Sequence, residues 1–158
     1  MIRDHATRPN ILLAEDNAAD VFLVKEALKQ NRIESNLRAI GDGEAVLALV
    51  DRIYGSAQIE PLNLVLLDLH LPKRGGAETL KHLCPSERSR QTPVVILTSS
   101  DSPTDQQNAE KHAPLHHFRK PSSLSGFIEL GGIVGNILAK RKPNDRITSG
   151  EQKLSEAA

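Results

Sequence analysis

Three four-residue runs constrain this chain most, because each is apolar at every position: Ile11-Leu12-Leu13-Ala14, Leu64-Val65-Leu66-Leu67 and Val94-Val95-Ile96-Leu97. A strand with one wet face alternates apolar and polar residues. A strand apolar throughout needs cover on both faces, which a parallel sheet between two helix layers supplies. Asn36–Ile40 and the stretch from Leu115 to Arg119 read as two weaker strands. Helical spacing follows each strand. The first stripe is Val21, Val24 and Leu28, with Asn17 as N-cap and Asp20 as its capping-box partner. Gly41-Asp42-Gly43 is a turn opening a second helix with the stripe Ala45, Val46, Leu49, Val50 and Ile53. Pro72 and Gly75-Gly76 precede a third helix carrying Leu80, Leu83 and Cys84. A polar fourth begins near Pro103, and the last carries Phe127, Leu130, Val134, Ile137 and Leu138. Five βα units predict an α/β fold, a doubly wound five-stranded parallel sheet. The expected bounds are an N-terminal tail over 1–9, one domain over 10–141 and a polar C-terminal tail over 142–158.

Composition narrows the partners. The 158 residues carry 20 Lys+Arg against 20 Asp+Glu, so no net field draws the chain to nucleic acid or membrane. The single cysteine, Cys84, has no internal disulfide partner and sits in a helical stripe, as a small core residue does. No apolar run approaches the roughly 18 residues that span a bilayer, and Met1 to Asn10 is too polar for a signal peptide. A cytoplasmic location is expected, with no nucleic-acid or membrane partner.

Doubly wound sheets bind ligands outside the carboxyl ends of their strands. The residues there are Glu15-Asp16, Asp68, Thr98 and Lys120. Four segments thus deliver three carboxylates, a hydroxyl and an ammonium to one rim. Gathered carboxylates repel, and the repulsion favours either protonation or a bound cation. All-oxygen donors suit Mg²⁺, which takes one or two carboxylates plus phosphate oxygens. Asp68 is then a carboxylate nucleophile able to form an acyl phosphate. Mg²⁺ on Asp16 and Asp68 would neutralise one side of the transferring group, with Lys120 and Thr98 serving other oxygens. A lone acid at a strand end is usually a solvated loop residue or a cap; the argument rests on all five arriving together.

The same residues carry a resemblance. Leu12–Asn17, Leu66–Pro72 with Gly76, Ile96–Ser99 and Lys120-Pro121 resemble the motifs of response-regulator receiver domains, over about residues 10 to 141. The resemblance implies a flavodoxin-like fold and phosphorylation of Asp68 by a phosphohistidine on a partner sensor histidine kinase. It implies Mg²⁺ at Glu15 through water, at Asp16 and Asp68, and at the main-chain carbonyl of His70. It also implies a cis bond at Lys120-Pro121. Glu15–Val21, the long segment Asp51 to Asn63 and Asp68–Lys73 look like the single-domain phytochrome-associated regulators. That likeness implies a photoreceptor kinase as donor and a homodimer.

Two departures stand out. The switch position three before the lysine, commonly Tyr or Phe, is His117, which adds a titratable group. Gly131, Gly132 and Gly135 each cost a helix about 1 kcal/mol relative to Ala, and read as close helix–sheet packing or as a loosened arm that builds a dimer. His112, His116 and His117 do not make a metal site, because adjacent strand residues face opposite ways. The expected mechanism is a two-state switch: phosphorylated Asp68 recruits Thr98, His117 turns inward, and the surface of the fourth helix, fifth strand and last helix changes partner. The chain is then a phosphoacceptor and not an enzyme. The rivals are a phosphorelay carrier passing the group to a histidine phosphotransfer protein, a haloacid-dehalogenase-like phosphatase and a binding-only pseudo-receiver. The phosphatase needs an acid where His70 stands, and the pseudo-receiver lacks part of the cluster.

Overall fold

The computed structural model describes residues 8–83, 92–99 and 116–140. The five strands are β1 (Asn10–Ala14), β2 (Asn36–Ile40), β3 (Leu64–Asp68), β4 (Val94–Thr98) and β5 (His116–Arg119). They form one sheet in the order β2-β1-β3-β4-β5, with every pair parallel. This is the expected flavodoxin-like α/β architecture. The helices are α1 (Ala18–Gln30), α2 (Gly43–Tyr54), α3 (Gly76–Leu83) and a C-terminal helix (Leu124–Lys140). The predicted fourth helix near Pro103, Leu115 and Cys84 lie outside the described residues. Among the described residues no helix is long and apolar enough to cross a membrane.

Strand alternation divides the core in two. Ile11, Leu13, Leu64, Leu66, Val95, Leu97 and Phe118 pack under α1 and the C-terminal helix, against Val24, Ala27, Phe127, Leu130 and Val134. Leu12, Ala14, Val65, Leu67 and Ile96 face the other way, onto Val46, Val50 and Ile53 of α2 and Leu80 of α3. The fully apolar runs in the sequence are therefore strands covered on both faces.

Local rules explain where the helices begin. Asn17 caps α1, its side-chain oxygen accepting the Ala19 and Asp20 N–H groups at 2.9 and 3.1 Å. The expected capping box does not form. The Asn17 N–H donates to Glu15 Oε1 at 3.1 Å, which frees the Asp20 carboxylate for another partner. Asp42 caps α2 by accepting the Ala45 N–H at 2.7 Å.

Two further expectations change. Among the described residues no peptide bond is cis, so Lys120-Pro121 is trans. The Lys120 N–H extends the β4–β5 ladder to the Thr98 carbonyl at 2.7 Å, and trans is the isomer an X–Pro amide itself favours by about 0.5–1 kcal/mol. Gly131 packs on α1 and not on the sheet: a Cβ there would overlap Asn31 Nδ2 and the Ala27 carbonyl. Asn31 Nδ2 bridges the two helices, donating to Ala27 O at 2.8 Å and Ile128 O at 3.0 Å.

Candidate functional site

The strand order reverses between β1 and β3, so a crevice opens where their carboxyl ends lie side by side. Alternation then decides which side chains meet. Asp68 follows Leu64 and Leu66 of the α1-side layer, Glu15 follows Ile11 and Leu13, and Lys120 follows Phe118. All three converge above that layer. Glu15, Asp68 and Thr98 are buried polar residues; Asp16 and His70 are exposed.

Lys120 is the hub. Its ammonium nitrogen lies 3.2 Å from Asp68 Oδ2, 3.0 Å from Asp20 Oδ2 and 2.5 Å from Glu15 Oε2. The contacts to Asp68 and Asp20 are hydrogen bonds. Glu15 Oε2 is buried and makes the shortest of the three contacts, an ion pair with the ammonium. The other Asp68 oxygen, Oδ1, accepts the His70 N–H at 2.9 Å. The carboxylate is thus gripped at both ends. Gly76 permits the close approach of α3, since a Cβ there would overlap the Asp68 carbonyl and Leu69 Cα.

Electrostatics follow from burial. Desolvation pushes Glu15 from 4.5 to about 7, against the opposing pull of Lys120 and the Asn17 N–H. Desolvation alone would lower Lys120. Its hydrogen bonds to Glu15 and Asp20 and the charge of Asp68 outweigh that, and hold it above the usual lysine value.

One oxygen from each of Glu15, Asp16 and Asp68 lies within 4.8 Å of the others. Glu15, Asp20 and Asp68 surround the one ammonium of Lys120, and Asp16 adds a fourth carboxylate to the cluster. An excess of hard oxygen donors over the single ammonium fits a divalent cation such as Mg²⁺.

The remaining candidates lie on the opposite side of the sheet. Thr98 follows Val94 and Ile96 of the α2/α3 layer, and its main-chain carbonyl holds the Lys120 N–H. His117 stands in register with Ile96 and is exposed, so it shares a sheet face with Thr98; His116 faces the other way and is exposed too. The sequence reading missed Asp20 at the site, having assigned its carboxylate to the helix cap. Its place in the first turn of the helix that covers Glu15, Asp68 and Lys120 is the signal that could have found it.

The chain is similar to known proteins in sequence and in fold. A family model described as the response regulator receiver domain matches residues 11–130. Response regulator Rcp1 of Synechocystis is 41% identical over 96 residues, 60% of this chain and 65% of that protein, so the match spans just under two thirds of that relative. Among solved structures, the phosphorylated cyanobacterial phytochrome response regulator RcpA aligns with a TM-score of 0.75 and 28% identity, covering 85% of this chain and 97% of the other. The Mn²⁺-bound form of Rcp1 aligns at 0.74 and 31%, with the same coverage.

Proposed function

From the premise that this chain belongs to the response regulator receiver domain family, we propose that it accepts a phosphoryl group on Asp68 from a partner histidine kinase. The observation that carries the reading is the Lys120 ammonium 3.2 Å from Asp68 Oδ2, beside three carboxylates whose oxygens gather within 4.8 Å. An oxygen of Asp68 attacks the phosphorus of a phosphohistidine. The new P–O bond forms as the P–N bond breaks, and the imidazole leaves with the electron pair. The His70 N–H and Lys120 hold the carboxylate in place for that attack. Lys120 then pairs with a phosphoryl oxygen, and the Thr98 hydroxyl bonds another. Asp16, Asp68, Glu15 through water and the His70 main-chain carbonyl would hold Mg²⁺, which would supply neutralisation of the phosphoryl oxygens.

The output is a switch. Thr98 moves to the phosphoryl group and His117, on the same sheet face, turns into the space it leaves. The changed surface alters protein association, homodimerisation included. The donor is a phytochrome-type photoreceptor kinase in the cytoplasm, a reading supported by the likeness to RcpA, a phytochrome response regulator by name. The receiver domain spans 10–141, followed by a polar tail over 142–158.

Incubation with acetyl phosphate and Mg²⁺, read by intact mass, tests the assignment. One phosphoryl adduct is expected on the parent and none on Asp68→Asn. An adduct on both proteins, or on neither, overturns it.

A further inference from the structure

Lys120 has three N–H bonds and three carboxylates around it. To reach a phosphoryl oxygen it has to give up one partner. Asp68 stays in place as the carrier of the phosphoryl group. The Glu15 side chain is 1% exposed and the Asp68 side chain 4%, whereas Asp20 is 25% exposed. Rehydrating a released carboxylate costs least where water already reaches it. Asp20 is therefore the partner that yields.

Its placement supports the same conclusion. Asp20 sits in the first turn of α1, but Asn17 satisfies the cap and the Asn17 N–H goes to Glu15. The Asp20 carboxylate has no capping duty and reaches across 100 positions of sequence to Lys120 at 3.0 Å. We infer that Asp20 is a positioning residue, a displaceable counter-ligand that holds Lys120 on the unphosphorylated rim and competes with the incoming phosphoryl oxygens for its ammonium. The inference rests on the phosphoacceptor reading of Asp68. Its charge also stands beside the site that an anionic donor must enter, and repulsion acts in the same direction as competition.

The test compares phosphoryl uptake from acetyl phosphate at saturating Mg²⁺, followed by intact mass, in the full chain, Asp20→Asn and Asp20→Glu. Asp20→Asn keeps the shape and removes the charge; its second-order rate constant for uptake is expected to rise about fivefold, about 1 kcal/mol at 1.36 kcal/mol per tenfold. Asp20→Glu restores a carboxylate and is expected to return at least half of the way to the parental rate. A purely structural role for Asp20 would leave uptake unchanged or slow it in both variants. Uptake by Asp20→Asn no faster than by the parent overturns the inference while leaving Asp68 as acceptor. Equal acceleration in both variants also overturns it, because the carboxylate is then not what restrains Lys120. A parent that takes no phosphate overturns the phosphoacceptor reading itself.

Discussion

Glu15 is the residue whose chemistry departs furthest from its solution behaviour. Its carboxyl titrates at 4.5 when unfolded and about 7 when folded, because burial disfavours the charged form. Between those values the native state holds a proton that the unfolded chain has lost. Stability without metal therefore falls as pH rises from about 4.5 through about 7. At 1.36 kcal/mol per pH unit the loss over the whole window is on the order of 3 kcal/mol. Denaturant midpoints in chelator are expected to drop between pH 5.5 and pH 8 for the parent and to stay nearly level for Glu15→Gln. The same drop in the variant would assign the effect to another group. At this scale most of the candidate site was legible in the sequence, since Glu15, Asp16, Asp68 and Thr98 stand where apolar runs stop and Lys120 follows the weaker fifth strand. Asp20 was not. A helix residue three after an N-cap has a sufficient local explanation, and its true partner appears only once strand order and alternation put Lys120 beneath α1.

Among the elements, α1 and the C-terminal helix show how a poor local sequence serves a good contact. Glycine weakens a helix interior, yet Gly131 sits where a side chain would strike the Ala27 carbonyl, which belongs to the α1 backbone and cannot step aside. Gly132, one residue on, has its nearest neighbour for a Cβ at 4.0 Å. The two positions predict opposite signs. Gly131→Ala is expected to destabilise by about 1–3 kcal/mol through overpacking. Gly132→Ala is expected to gain a few tenths to about 1 kcal/mol from helix propensity. Thermal melts of the two variants side by side check this, and a stabilised Gly131→Ala would refute the close packing. The strands were readable because an all-apolar run has so few solutions. β2 was read only weakly, because as an edge strand it leaves Asn36, Arg38 and Ala39 exposed. Whether the glycines met sheet or helix was not readable, since composition marks a close approach without naming the partner.

At the scale of the whole molecule, the two cores share one sheet and are expected to melt together, in a single transition with matching calorimetric and van't Hoff enthalpies. A cation bound at the rim adds stability by mass action, about 2.7 kcal/mol at a hundredfold excess over its dissociation constant. Mg²⁺ is accordingly expected to raise the melting temperature of the parent. Asp16→Asn should lose most of that rise, since Asp16 belongs to the carboxylate cluster. Undiminished stabilisation of that variant would place the ion elsewhere.

The alternation that sorts the rim has one more consequence. Glu15, Asp20, Asp68 and Lys120 lie on the side of α1, while Thr98 and His117 share the opposite face. Under the proposed function the sheet works like a circuit board with input terminals soldered to one surface and the readout to the other. Apart from Thr98, which joins the two, tuning how readily the domain is charged and tuning how it announces that state are then separable tasks.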